Sequence, residues 1–235
     1  MTEHESKLPK NLKPWVREEI VPFDPKPAVW MAANHYPNAQ AAWDAWTIPE
    51  ELICALVKTH APLDKLTHCV CDLVSPAFGI LTSGNIDPRP FRAGLRQAKW
   101  LSEIQASRRM DSVLNTIETL TRKFRQMDAS LNIRYAAWAV IRAMRSSLGR
   151  RPALDVPFLV EQAILASLQP AIAGQPPQRS LLPRIKNSRL TDAKIREWQC
   201  KKIRKHFPER PAMITPNEPR CIRLFGYILT NIHLS

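Results

Sequence analysis

The stretch Asn38–Leu101, NAQAAWDAWTIPEELICALVKTHAPLDKLTHCVCDLVSPAFGILTSGNIDPRPFRAGLRQAKWL, decides the fold class. Asn38 has an N-cap side chain, and Ala39, Ala41, Ala42 and Ala45 behind it are strong helix formers, so a short helix is expected through Trp46. Trp43 and Trp46 share a helix face, read as a core pair, whereas an exposed aromatic pair would mark a binding patch. Thr47 is read as the cap of a second helix, with Pro49, Glu50 and Glu51 in its first turn and Leu52, Ile53, Leu56 and Val57 as its buried stripe. Pro62 opens a third, in which Leu63, Leu66, Val70, Leu73 and Val74 recur at helical spacing. Pro76 should kink or end it, and Gly79 and Gly84 mark the exit. Asp87-Pro88 starts a fourth helix, expected to reach Ser107. Phe91, Leu95 and Ala98 set its inner face, and Arg89, Arg92, Arg96 and Lys99 form a cationic ladder that is solvated or pairs with local carboxylates.

Downstream, Val113, Ile117, Leu120, Phe124 and Met127 form another amphipathic stripe. Ser130 is read as the cap of the next helix, whose inner face is Ile133, Ala137, Val140, Met144 and Leu148. A second face of that helix interleaves Arg134, Tyr135, Trp138, Arg142 and Arg145. Three readings fit this composition: arginine stems lying over core aromatics, a protein interface rich in Trp, Tyr and Arg, or a stacking platform for bases. Asp155 and Pro157 start a helix carrying Phe158, Leu159, Ala163, Ile164 and Leu168. Pro170, Gly174, Pro176 and Pro177 then break the chain.

Thr191 is read as the cap of a last helix ending near His206, with Ile195, Trp198, Ile203 and Phe207 on one broad side. Lys194, Lys201 and Lys205, with Arg204 beside them, form a solvated face or a stripe that tracks phosphates. The closing CIRLFGYILTNIHLS is β-prone by propensity. The expectation is therefore an all-α fold, a helical bundle or stacked helical hairpins of about six to eight helices. It divides into an irregular proline-interrupted arm over 1–27, a helical domain over 28–170, and a basic Pro-rich tail over 171–235 containing the helix at about 191–206.

Composition agrees with this class. Of 235 residues only 6 are Gly while 21 are Pro, which suits helices separated by rigid breaks better than a sheet with many tight turns. The 5 cysteines are odd in number and scattered, as in a reducing compartment. With no apolar segment in MTEHESKLPK and no uninterrupted apolar run of about eighteen residues, a cytoplasmic location is expected. The net charge of +13 is uneven: 0 over 1–27, −1 over 28–107, +7 over 108–151, −2 over 152–178 and +9 over 179–235. A basic surface favours acidic partners of any class.

No nucleophile elbow, P-loop, dinucleotide fingerprint, zincin helix or Cys-x-x-Cys pair occurs, so neither a catalytic residue nor a cofactor is expected. His60, His68, Cys69, Cys71 and Asp72 lie near one another in sequence, but Cys-x-Cys is not a zinc-knuckle spacing and no second ligand pair follows. Asp72 reads instead as a hydrogen bond or ion pair to a neighbouring helix.

The succession Asn38, Ala42-Trp43-Asp44-Ala45-Trp46, Pro49, Leu52, Leu56, Asp64-Lys65, Cys71-Asp72, Gly84, Arg89-Pro90, Ala93, Leu95, Ala98 and Trp100 resembles the opening of the immunity proteins of bacterial polymorphic-toxin systems. That resemblance implies an all-helical, non-enzymatic protein that neutralises a cognate toxin by binding it. After Ser107 the chain departs from the pattern, continuing Arg-rich where the family continues Ala-rich. An inhibitor that imitates nucleic acid is acidic, so this basic chain points to an acidic toxin or other acidic protein rather than to a nuclease blocked by charge mimicry. The alternative is a nucleic-acid-binding accessory protein using residues 179–210, with Lys194, Lys201, Arg204 and Lys205 on the phosphates. Neither reading involves membrane insertion.

Overall fold

The computed structural model describes residues 9–19, 31, 33–104, 110–126, 129–168 and 192–210. In chain order the helices are α1 (Pro14–Glu19), α2 (Ala39–Ala45), α3 (Pro49–Lys58), α4 (Leu63–Leu73), α5 (Ser75–Ser83), α6 (Arg89–Ile104), α7 (Met110–Arg125) and α8 (Leu131–Arg145). A 3-10 turn (Arg151–Asp155) leads into α9 (Val156–Leu168), and α10 (Asp192–His206) closes the set. The fold is all-α, with no strand among the described residues. The chain divides into two compact units, Thr47–His206 and a smaller one built from Met1–Trp46 with Phe207–Ser235.

The larger unit is gathered on α8. Ile133, Ala136, Ala137, Ala139, Val140, Ile141, Ala143 and Met144 are all buried, so this helix is covered on most of its circumference. It packs most extensively on α9, then on α5, α6, α7 and α4. The four buried alanines let those neighbours come close. Gly94, in the middle of α6, shows how close: a Cβ there would run into Met144 Sδ and sit 3.1 Å from Thr116 Cγ2. Phe91 and Phe124 join α6 to α7 edge-to-face, with centroids 5.6 Å apart.

Two helix ends use the same backbone closure. After α3, Ala61 N–H donates to Leu56 O (2.9 Å) and His60 N–H to Val57 O (3.4 Å), with His60 left-handed at φ 54°. After α5, Ile86 N–H donates to Leu81 O (2.9 Å) and Asn85 N–H to Thr82 O (3.0 Å), with Asn85 at φ 58°. Both are Schellman caps, which recover carbonyls that the helix leaves unpaired. Gly84, read from sequence as the exit signal, has φ −86°. It is needed for space, because a Cβ at that position would collide with the Ile133 side chain.

Several local expectations change. Helix α3 has Ile48, not Thr47, at its N-cap, and Ser130 makes no cap bond to α8 but donates to Asn132 Oδ1 at 2.6 Å. Pro76 does separate two helices, α4 ending at Leu73 and α5 beginning at Ser75, because proline fits a first helical turn and not an interior. The run Leu63–Ser83 is 21 residues with a mean hydropathy of 1.2, long and apolar enough by composition to cross a bilayer, and 56% of that window is buried inside the protein. Phe158, counted from sequence among the apolar stripe of α9, is exposed; the buried side is Val156, Pro157, Val160, Glu161, Ala163 and Ile164.

Helix α10, assigned from sequence to a basic tail, belongs to the larger unit. Ile195, Gln199, Cys200 and Ile203 are buried, and it packs on α4 and α3 and touches α9. Thr191, Met127 and the closing β-prone segment lie outside the described residues.

In the smaller unit, the N-terminal arm expected to be irregular contains α1, because Pro14 occupies the first helical position. Lys13 donates its backbone N–H to Asn34 Oδ1 (2.7 Å) and its Nζ to Tyr36 O (2.7 Å). Asn38 caps α2 as read, accepting from Ala41 N–H at 2.8 Å. Trp43 is buried and donates to Phe207 O at 3.1 Å, while Trp46 is half-buried with its ring 6.5 Å from that of Tyr36.

Candidate partner-binding surface

The acidic and imidazole side chains that could have made a reactive centre join helices to one another. Asp72 on α4 accepts from Lys99 Nζ of α6 at Oδ1 and from His206 Nε2 of α10 at Oδ2, both at 3.0 Å. Burial alone would raise its pKa, but the Lys99 hydrogen bond and charge, with His206 behind them, hold the carboxyl below its usual range. His68 sits 2.8 Å from Glu103. Glu161, only 2% exposed on α9, is bound through both oxygens by Arg196 Nε of α10 at 3.1 Å. Gln199 donates to Pro157 O at 2.8 Å, and its Oε1 is buried with no hydrogen-bond partner.

The buried thiols are held in the protonated form. Burial pushes Cys71 up to about 12 and Cys200 up to about 11, and raises Cys69 as well. Among the described residues no group of three or more His, Cys, Asp and Glu could hold a metal ion. His60, His68 and Asp72 have separate roles, as a helix cap, a partner of Glu103 and an interhelical joint.

The outer face of α8 lies in the larger unit. Arg134 is exposed, and Tyr135, Trp138, Arg142 and Arg145 are half-buried. The structure therefore brings the five residues into one stripe, as their spacing predicts. Their partners come from the next elements. The Tyr135 ring meets Phe158 of α9 edge-to-face with centroids 6.5 Å apart, and Arg142 Nε pairs with Asp155 at 3.2 Å. Two further apolar side chains stand out here: Leu131, 58% exposed in the first turn of α8, and Phe158, 49% exposed. Sequence reasoning missed both. Leu131 falls outside the inner-face repeat, and Phe158 has polar Glu161 and Gln162 three and four residues on, so both carried a usable signal.

On α10, Lys194, Lys201 and Lys205 lie along one side and Arg204 is half-buried. Lys201 is held by Glu197 one turn earlier at 2.6 Å, and Arg196 is committed to Glu161. Three of the four side chains of the α6 cationic ladder are likewise engaged: Arg89 with Asp87 at 3.0 Å, Lys99 with Asp72, and Arg92 lying 5.1 Å over the Phe78 ring. No family model matches the chain, and no curated protein or solved structure matches it.

Proposed function

We propose that this chain is a non-enzymatic binding protein that acts by stoichiometric association with another protein. The observation that carries this reading is the division of labour among polar and aromatic side chains. Asp72, His206, His68, Glu103 and Glu161 tie helix to helix, while the arginine and aromatic stripe of α8 stands at the surface beside exposed Leu131 and Phe158. Exposed apolar side chains beside arginine and aromatic residues are typical of protein interfaces, where a few such anchors carry most of the energy.

The similarity of the Asn38–Trp100 stretch to immunity proteins makes a cognate bacterial toxin the partner to test first. The surplus of arginine over residues 108–151, net +7, favours an acidic one. The test is affinity capture with the full chain from the native cell lysate at low and moderate salt. One protein retained in equimolar amount at both salts supports the reading. Nucleic acid that dominates at low salt and is released as salt rises contradicts it and favours the basic stripe of α10 as a phosphate contact.

A further inference from the structure

We infer that the last turn of α7, with Arg122, Lys123 and Arg125, receives a cluster of carboxylates on the partner protein; this deepens the binding reading above and rests on it. All three side chains are exposed, and residues 122–126 include no carboxylate. Among the described residues Arg122 and Arg125 make no hydrogen bond, ion pair or ring contact, and Lys123 meets only the charge of Asp87. Asp87 is itself bound through both oxygens by Arg89 Nε at 3.0 Å, so it offsets Lys123 weakly. Glu118, one turn before Arg122, is exposed and forms no ion pair with it. The last turn of α10 is as basic in sequence, but there Lys201 is held by Glu197 and Arg204 is engaged as well.

A helix dipole explains a cation in a last turn but not three. The C-terminal pole carries about half a negative charge, so three full positive ones leave the end of α7 strongly positive. Its neighbours place it beside the proposed interface. The Phe91 and Phe124 rings bring the first turns of α6 against it, and residues 126–130 lead from it into the first turn of α8. A protein resting on the start of α8 therefore meets these cations too, and carboxylates are what complement them. Phosphates carry the same charge, but the arrangement suits them less. Helical spacing spreads Arg122, Lys123 and Arg125 over about 160° of the circumference, not along one line that a phosphate backbone follows. The nearest rings, Phe91 and Phe124, are buried against each other and give bases no stacking face. Carboxylates on separate side chains of a folded partner can meet such spread cations one by one.

The test uses the full chain and two double variants that each remove two charges, Arg122→Gln with Arg125→Gln, and Lys201→Gln with Lys205→Gln on α10. Glutamine keeps helix propensity, and circular dichroism checks that both fold. The probes are a fluorescent oligoglutamate peptide and duplex DNA of matched charge, read by anisotropy at low salt. The α7 end predicts that the peptide binds, that the α7 variant weakens it several-fold, and that the α10 variant leaves it unchanged. No peptide binding, equal loss in both variants, or DNA bound more tightly than the peptide and released by the α7 variant would overturn it. The protein captured from lysate should likewise bind the α7 variant several-fold more weakly. If it binds that variant as tightly as the parent, the α7 end is wrong while the binding reading stands; if the lysate yields nucleic acid alone, both fall.

Discussion

Glu50 and Asp72 are carboxylates of one unit whose environments push them in opposite directions. Glu50, in the first turn of α3, is raised above its ordinary value, chiefly by burial and further by the charge of Glu161, which a backbone hydrogen bond and Arg196 only partly offset. A carboxyl whose folded pKa is raised disfavours the fold once it ionises, so stability falls as pH rises through that pKa. Glu50→Gln should therefore match the parent near pH 4 and exceed it at pH 7 by about 0.5–1 kcal/mol, read from urea midpoints. Asp72 is held low, so its contribution is present above the ordinary Asp range and disappears as pH falls through the folded value. Asp72→Asn should cost about 1 kcal/mol at pH 7, the modest figure reflecting a half-exposed site, and converge with the parent once pH falls below the folded-state pKa. That Asp72 would bond to another helix was legible in the sequence, because a carboxylate set among Cys69, Val70, Cys71 and Leu73 needs a partner. Which partners it takes was not, since His206 is brought to it by the placement of α10.

Helices lean on their ends and on close approaches, and both can be perturbed. His60 holds a left-handed conformation that a side chain tolerates poorly and glycine accepts. His60→Gly should stabilise the protein by about 0.5–1 kcal/mol, seen as a raised thermal midpoint, because the Schellman bonds stay and the strain goes. Gly94→Ala should do the reverse. Alanine favours a helix interior by about 1 kcal/mol, yet the added methyl must displace Met144, and overpacking of this kind costs about 1–3 kcal/mol. Net destabilisation, with a larger loss for Gly94→Val, marks the α6–α8 contact as tight. The elements themselves could be read from apolar spacing, and α4 to α7 are close to expectation. The centrality of α8 was hidden because its buried sides are built from alanine, which spacing arguments do not distinguish from a solvated helix former.

At the scale of the whole molecule, the sequence shows a composition break after Leu168 and a strongly basic remainder, and the natural reading is a detachable tail. The structure joins α10 to the larger unit through Ile195, Cys200 and Ile203, the Glu161–Arg196 pair and the Gln199–Pro157 bond. Apolar side chains interrupting a basic helix were the available signal, outweighed by charge. Ending the chain at Gln175 should therefore lower stability by about 4–6 kcal/mol, at roughly 1.5–2 kcal/mol per buried apolar side chain, a large part of what a domain of this size possesses. The shortened chain should bind hydrophobic dyes and melt well below the full one; an unchanged thermal midpoint would place α10 outside the core. The same joint explains why the basic residues of α10 are only partly available: burial and ion pairs had first use of that helix.

The larger unit is proposed to bind its partner through the outer face of α8. Hydroxyl-radical footprinting of the full chain, alone and saturated with the protein it captures, tests it side chain by side chain. Binding through that face predicts that oxidation of Leu131, Tyr135 and Phe158 falls several-fold in the complex while Trp100, Ile104 and Leu114 keep their rates. Protection of the α6–α7 residues with Leu131 and Phe158 still reactive would contradict it.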